Sequence, residues 1–304
     1  MTQEQYLKNL QVPTGPVDVV LDTDAYNEVD DQFAISYLLH CQDKLNIKGF
    51  CAAPFFNSNS TSPENGMERS YDEILKLLTL AGKEEFKAVT YKGSRNYLVD
   101  ETTPQITEAA EFMVKLAQGY SPEKPLYIVA IGAITNVASA LLMDPSIAEK
   151  VVIVWLGGHS LEWENCKEFN LIQDVAAARV VFGCGAPVVM LPCMGVVDAF
   201  RISGPELKAW FAGKNALCDY LSEYAHSCMA EHGDKVWSRV IWDACTIGWL
   251  MNDEGKFMKS RLEPAPLPEY DGHYTIDPAR PLIQYVWHIG RDALWQDIID
   301  RIGK

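Results

Sequence analysis

The first two-thirds of the chain alternates short apolar runs with segments in which apolar residues recur every three or four positions. Short apolar runs predict β-strands, and the wider spacing predicts helices. The predicted strands are Val17–Leu21, Leu45–Ala53, Phe86–Tyr91, Leu126–Ile131, Val151–Leu156 and Pro187–Leu191. The predicted helices between them are Asp30–Cys41, Glu64–Leu80, Gln105–Ala117, Asn136–Met143 and Val175–Phe182.

This alternation is typical of right-handed βαβ units, which build a parallel sheet. Val151–Leu156 is apolar at every position, as expected of a strand that is covered on both faces. Beyond Gly204 the pattern becomes helical. The predicted elements there are helices Pro205–Phe211, Ala216–Ala230, Ala244–Leu250 and Trp287–Ile302, with Pro264–Pro281 as a loop or irregular hairpin. We predict an α/β fold with an open, mostly parallel, Rossmann-like sheet, helices on both faces and a helical C-terminal part. No change of composition marks a linker, so residues 1–304 are predicted to form a single domain.

Composition narrows the possible functions. The 304 residues include 26 Lys and Arg against 41 Asp and Glu, a formal charge of −15, which argues against nucleic-acid binding. No apolar run is long enough for a transmembrane helix, so no membrane association is predicted. The first ten residues are polar and lack an apolar signal core, and the eight cysteines form no C-x-x-C pair. These features predict a cytoplasmic protein with reduced thiols rather than a disulfide framework or a zinc site.

Negative charge is concentrated just after the first predicted strand. The segment Asp22–Asp31 contains five carboxylates, and no Lys or Arg occurs between Lys8 and Lys44. Two unit charges 4 Å apart interact by about 4 kcal/mol at an effective dielectric constant of about 20. A helix N-terminus offsets only about 0.3–1 kcal/mol per charge. A divalent cation would neutralise the cluster, and oxygen ligands favour calcium or magnesium over zinc. The alternative is that these are solvated loop acids that cap helices.

Four segments, in chain order, resemble motifs of the nucleoside hydrolase (inosine–uridine-preferring) family. They extend from residue 17 to about residue 250. The segments are Val19–Asp24 followed by Asp30-Asp31, Ile131–Ala138, Glu168–Asn170 followed by Asp174, and Trp242–Ala244.

Members of that family have an open α/β fold and cleave the N-glycosidic bond of ribonucleosides with a bound calcium ion. The resemblance therefore implies a ribonucleoside as the partner, Ca²⁺ as the cofactor and a homodimer or homotetramer as the assembly. The roles it implies are Asp24, Asp31, Asp243 and the backbone carbonyl of Thr135 as calcium ligands, Asp24 also as general base, Asp30 and Asn170 on the ribose 2′- and 3′-hydroxyls, and Glu168 near the 5′ end.

The chain also departs from the family pattern. Trp242 stands where many members have a histidine that protonates the leaving base. Some purine-preferring members stack a tryptophan there, so we predict Trp242 as a second catalytic residue and purine nucleosides as the favoured substrates, with a core position as the alternative. Glu162 replaces an expected asparagine, for which Asn165 or His159 could substitute. Two extra residues separate Asp24 from the Asp30-Asp31 pair.

Ordinary structural roles compete with each of these assignments. Asp243 and Thr135 could belong to helix caps, and Glu168 and Asn170 could be loop residues. Asp174 is predicted to cap Val175–Phe182. The remaining interpretations are Asp22 as an acid behind the site, Asn57 as a candidate sugar contact, and His226 and His232 as surface or core residues.

Two other functions are compatible with parts of the pattern. The missing histidine and the altered loops allow a non-catalytic nucleoside or ribose binder on the same fold. An Asp-x-Asp after a first strand also occurs in magnesium-dependent phosphatases of the haloacid dehalogenase class. Those expect Thr or Val two residues beyond the second Asp, where this chain has Tyr26.

Overall fold

The computed structural model describes residues 1–230 and 236–303, and its centre is a twisted β-sheet. The strands are β1 (Val17–Thr23), β2 (Leu45–Ala52), β3 (Thr90–Lys92), β4 (Leu126–Ala130), β5 (Val151–Leu156), β6 (Val188–Leu191), β7 (Arg201–Ser203), β8 (Ser238–Val240), β9 (Met258–Pro264), β10 (Leu267–Pro268), β11 (Tyr274–Thr275) and β12 (Leu282–Ile289). Eight of them form the main sheet, in the order β3-β2-β1-β4-β5-β6-β12-β9. All neighbours in it are parallel except the antiparallel pair β12–β9 at one edge.

Helices cover both faces of this sheet. They are α1 (Gln3–Asn9), α2 (Asp30–Leu39), α3 (Pro63–Leu80), α4 (Glu108–Ala117), α5 (Thr135–Met143), α6 (Phe169–Gln173), α7 (Val175–Gly183), α8 (Gly204–Trp210), α9 (Ala216–Ala230), α10 (Ala244–Leu250) and α11 (Arg291–Ile302). The residues of β1 alternate between the two cores, with Val19 and Leu21 in one and Val20 in the other. The predicted α/β class and mostly parallel sheet are confirmed.

Three predicted elements differ from the structure. Glu84–Val89 is a 3₁₀ helix rather than the start of a strand, and it places the Phe86 ring against Phe50. The helix predicted from Gln105 begins at Glu108, where the Thr107 side chain accepts a hydrogen bond from the Ala110 amide.

The third difference lies in the C-terminal part, which is less helical than predicted. Trp287 belongs to β12, and the last helix begins only at Arg291. The Gly290 amide donates to the Phe257 carbonyl at 2.6 Å, which ties the chain to the end of β9 before the helix starts. The proline-rich segment is a hairpin, as one of the two alternatives proposed, but the strands that flank it extend the main sheet.

The order of the strands reverses between β1 and β4, since β2 and β3 lie on one side of β1 and the later strands on the other. Ligands of open α/β sheets bind beyond the carboxyl ends of the strands at such a point. No helix in the described ranges is long and apolar enough to cross a membrane.

Candidate active site

A cavity of about 240 Å³ opens at the carboxyl ends of the central strands. Asp24 follows β1, Ile131 follows β4 and Leu156 ends β5, and all three line the cavity. The fold therefore places the acidic segment of the sequence at the position where α/β sheets bind ligands.

Three buried carboxylates meet in this cavity. One oxygen from each of Asp30, Asp31 and Asp243 lies within 4.8 Å of the others, although Asp243 is more than two hundred residues away along the chain. Asp30 and Asp31 form the first turn of α2, and Asp243 precedes α10. The Asp243 side chain makes no capping hydrogen bond to α10, so the alternative role as a helix cap is wrong.

Asp24 is fully buried beside this trio, and neither of its carboxylate oxygens has a hydrogen-bond partner among the described residues. Its carboxyl group lies against Gly132, where an added Cβ would stand 3.0 Å from Asp24 Cγ. A larger residue at this position would crowd the carboxylate. Buried polar groups without partners are rare in native proteins and need an explanation such as a bound ion.

Burial and mutual repulsion raise the pKa of each carboxyl group in this cluster. Desolvation is the larger cause at all four positions, and repulsion from neighbouring carboxylates adds to it. The pKa of Asp30 rises to about 7, and those of Asp24, Asp31 and Asp243 rise well above the ordinary value of 3.8. A bound cation would reverse this effect by favouring the charged forms. The four carboxylates therefore fit a divalent cation, and as hard oxygen donors they fit calcium or magnesium.

Asn170 is held with one end of its side chain free. Its amide nitrogen donates to the carbonyls of Ile131 at 3.2 Å and Leu156 at 3.1 Å, so the ends of two strands fix its orientation. Its Oδ1 accepts no hydrogen bond from the residues described. This arrangement presents an acceptor to a ligand hydroxyl in the cavity that Asn170 lines.

Glu168 lines the same cavity, but its carboxylate is already engaged. It accepts hydrogen bonds from the amides of Gly158, Asn170 and Leu171 at 2.8–2.9 Å, and the Cys193 thiol is a further partner. Two of these amides belong to the first turn of α6, so Glu168 caps that helix. Burial raises its pKa to about 6, against the lowering effect of these hydrogen bonds.

Thr135 lies beside the cavity as the first residue of α5 and is not among the residues that line it. Its hydroxyl donates to Asp174 at 2.7 Å. Asp174 caps α7 through the Ala177 amide at 2.9 Å, as predicted, and it also accepts from the Leu98 amide at 2.9 Å. Asp174 thus connects three segments behind the site.

The family of the chain is identified by its match to a family model. The model of the inosine-uridine preferring nucleoside hydrolases matches residues 19–275. The chain belongs to this family. The haloacid dehalogenase alternative is set aside, because a different family matches most of the chain.

Curated nucleoside hydrolases match part of the chain. It is 32% identical over 157 residues to the pyrimidine-specific ribonucleoside hydrolase RihA of Salmonella paratyphi A, and the match covers 50% of each chain. A match to RihA of an Enterobacter species is 31% identical over 157 residues and covers 50% of this chain and 49% of that one. The chain spans about half the length of the curated relatives it matches.

Solved structures share the fold over nearly the whole chain. A plant nucleoside hydrolase superposes with a TM-score of 0.77 at 19% identity, covering 95% of this chain and 99% of that one. A purine-preferring ribonucleoside hydrolase from Gardnerella vaginalis gives 0.72 at 21%, with coverage of 94% and 98%. The type III effector XopQ, solved with adenosine diphosphate ribose, gives 0.70 at 14%, with coverage of 100% and 99%.

Trp242 lines the cavity and is only partly buried, while it also packs against the core. On another side it borders a shallow cavity that Arg201 and Arg239 line. The structure therefore combines the two alternatives considered for Trp242: its ring is part of the packing and also faces the site.

The loop before Glu168 contains the three residues considered in place of the expected asparagine. Of the three candidates, only His159 lines the cavity. Glu162 accepts from the Ser160 hydroxyl at 2.6 Å and pairs with Arg261 at 3.1 Å, and Asn165 accepts from a backbone amide in its own loop.

Sequence reasoning missed several residues of the cavity. The two extra residues after Asp24 bring Asn27 and Glu28 to its lining, and Lys167 contributes from the other side. Glu28 pairs with Arg239. Lys167 could have been noticed as the neighbour of Glu168. No sequence pattern indicates Arg239, because it is far in the sequence from the loop that contains Glu28.

The remaining predictions concern Asn57 and two histidines. Asn57 does not line the cavity and donates to Asn27 at 2.6 Å, so it supports a lining residue instead. The His226 ring packs on Trp237 with centroids 5.3 Å apart, whereas His232 lies outside the described residues.

Proposed function

We propose that this protein is a calcium-dependent nucleoside hydrolase that cleaves the N-glycosidic bond of ribonucleosides and favours purine nucleosides. The main observation behind the proposal is the buried Asp24 carboxylate, which lacks hydrogen-bond partners and stands beside three further buried carboxylates. Family membership over residues 19–275 supports this chemistry.

In this proposal Asp24, Asp31 and Asp243 hold the ion together with the backbone carbonyl of Thr135. Calcium takes six to eight oxygen ligands, so four from the protein leave positions for water and the substrate diol. Asp30 stands close enough to Asp31 and Asp243 to belong to the same trio of oxygens. We assign Asp30 to the ribose 2′-hydroxyl, and its nearness to the cluster allows it to contact both the sugar and the ion.

When bound, the ion supplies positive charge that orients the diol and makes the attacking water more acidic. Asp24 accepts the proton of that water as it attacks C1′, and its lack of other partners leaves both oxygens available. Asn170 Oδ1 accepts from the 3′-hydroxyl. The carboxylates stabilise the positive charge that develops on the ribosyl group, and the Trp242 face stacks on the departing base.

The proposal is tested by measuring ribose release from inosine, guanosine, adenosine and uridine with calcium present, with magnesium in its place and after chelation. We expect turnover that requires calcium, with inosine or guanosine cleaved faster than uridine. Asp24→Ala should abolish it and weaken calcium binding. A well-folded protein that releases ribose from none of the four nucleosides would contradict the proposal.

A non-catalytic binder is the second candidate. It is favoured by the tryptophan at position 242 and by the similarity to XopQ, whose structure contains adenosine diphosphate ribose. Calorimetry with inosine separates the two, because tight binding without release of hypoxanthine supports the binder. The dimer or tetramer, the cytoplasmic location and a role in purine salvage remain predictions.

A further inference from the structure

Besides its acidic residues, the cavity is lined by two basic side chains, Lys167 and His159, and both lie close to Glu168 in the sequence. The Glu168 carboxylate accepts three backbone amides and a thiol, so it has little capacity left for a ligand. Lys167 and His159 therefore bring hydrogen-bond donors to the cavity, and the neighbouring Glu168 offers a ligand few free acceptors.

The Lys167 side chain is held in place while its charge remains available. Its stem passes over Gly272, where an added Cβ would lie 2.3 Å from Lys167 Cε. The Cys166 amide donates to the Gly272 carbonyl at 2.8 Å, which joins the two segments. The Lys167 ammonium forms no ion pair or hydrogen bond with any residue in the described ranges. Asp271 interacts with the Lys167 charge electrostatically, but its carboxylate pairs with His273 at 3.1 Å.

His159 adds a second donor. Its Nδ1 lies 3.4 Å from the Met194 amide and accepts from it, so a neutral ring carries its proton on Nε2. The ring is half-buried, with the Trp163 ring 6.0 Å away, and its backbone carbonyl accepts from the Tyr274 hydroxyl at 3.3 Å. Burial lowers the pKa of this imidazole, and the charge of Asp198 acts in the opposite direction.

The position of the ribose diol limits where the base and the 5′-carbon of a bound nucleoside can lie. If the ribose diol lies on the carboxylates and Asn170, the base and the 5′-carbon point in different directions. Trp242 is adjacent to Asp243 and offers an aromatic face to the base. Lys167 and His159, the basic side chains of the cavity, are then the candidates for the 5′-carbon, where a bare hydroxyl would leave the ammonium without a counter-charge.

Resting on the proposed function, we propose that Lys167 and His159 form a phosphate subsite, so that the protein accepts ribonucleosides with a phosphate on the 5′-carbon. A Lys ammonium and an imidazole N–H are common partners for a phosphate group. In the reaction the C1′–N bond breaks, the water oxygen bonds to C1′, and a water proton ends on the base. The products are ribose 5-phosphate and the free base.

The test compares the binding of ribose 5-phosphate and of ribose to the whole protein with calcium present, by calorimetry. We expect ribose 5-phosphate to bind about tenfold more tightly or better, and raised salt to reduce the ratio. Lys167→Met should bring the ratio close to one. Lys208→Met removes an exposed lysine elsewhere and should leave the ratio unchanged. The kcat/KM of inosine 5′-monophosphate relative to inosine should fall in Lys167→Met in the same way.

Different results would overturn the phosphate subsite and the proposed function. Equal affinities for ribose and ribose 5-phosphate, in a protein that hydrolyses inosine, would overturn the subsite alone. The same ratio in wild type and Lys167→Met would also overturn it. A tenfold preference for ribose 5-phosphate in a protein that hydrolyses no nucleoside would support the subsite and contradict the proposed function.

Discussion

Two fully buried polar side chains near the carboxyl ends of the strands, Asn136 and Asp24, differ in their hydrogen bonding. Asn136 donates to Asp22 at 2.8 Å and to the Ala52 carbonyl at 3.1 Å. It accepts from the Ser94 amide at 2.7 Å and the Ser94 hydroxyl at 2.8 Å. Asp24 is equally buried, yet both its oxygens lack partners among the described residues.

This difference in hydrogen bonding separates a residue that stabilises the fold from a residue that binds a ligand. Burying a polar group costs free energy unless a hydrogen bond replaces the water that it loses. Asn136 recovers that cost within the protein, so its role is to join β1, β2, the segment after β3 and α5. Asp24 does not recover it in the protein alone, so a ligand has to supply what is missing.

Asp24→Asn should lower turnover of inosine by about 10³-fold or more, because a neutral amide cannot accept the proton of water and binds calcium weakly. The calcium-free protein should unfold at the same urea concentration as wild type or a higher one, since the substitution removes a buried, repelled charge. Asp18→Asn is the matched control, because Asp18 lies on β1, the strand that Asp24 follows, and pairs with Lys48 at 3.4 Å. A loss of stability in Asp24→Asn together with normal turnover would reverse our assignment.

Asn136→Ala should have the opposite profile, with a loss of about 2–4 kcal/mol in the free energy of unfolding. It leaves the Ser94 amide and the Ala52 carbonyl buried without their partner. Urea denaturation checks the loss, and Asn46→Ala, which removes a more exposed asparagine from Asp18 at 3.1 Å, should cost far less. If both variants unfold at the same urea concentration, the Asn136 group does not stabilise the fold in the way we infer.

The calcium-free protein should become less stable as the pH rises. Asp22 and Asp30 have a pKa of about 7 in the folded protein, against 3.8 when unfolded. The folded state therefore holds protons that the unfolded state releases above about pH 4. This contribution is fully present below that pH and is lost as the pH rises through 7, by roughly 1.4 kcal/mol per pH unit for each of the two groups.

Chelated protein at pH 6, 7 and 8, unfolded in urea, gives the measurement. Added calcium should reduce or reverse the fall, because the ion favours the ionised carboxylates that bind it. A chelated protein that gains stability between pH 6 and 8 would contradict the raised pKa values.

Much of this site was predictable from sequence because its parts lie in short local patterns. Asp24 and Asp30 follow one apolar strand, and the alternation of strands and helices fixes the edge of the sheet to which that strand points. The meeting of Asp243 with Asp30 and Asp31 was not derivable from periodicity, and only the family resemblance indicated it.

The differences between the predicted and the observed structure also have a physical cause. β12 was partly assigned to a helix because Trp287–Ile289 runs directly into the helical pattern of α11, and only its pairing with β9 shows where the strand ends. The Lys167 stem lies against Gly272, which is more than a hundred residues distant in the sequence. Whether a charged side chain has partners is a tertiary property, and it decides which of the polar residues act on a ligand.

Trp242→Phe should produce the smallest effect and tests the end of the cavity where packing and function overlap. Base stacking on an aromatic ring contributes about 1–3 kcal/mol, and a smaller ring retains part of it, so we expect kcat/KM for inosine to fall by about three- to tenfold. The fall with uridine should be smaller, because a pyrimidine offers less surface to the ring. Trp242 also packs against the core, so the urea midpoint must be measured beside the kinetics. Equal losses for inosine and uridine, together with a lower urea midpoint, would assign the ring to packing, whereas a selective loss with inosine assigns it to the base.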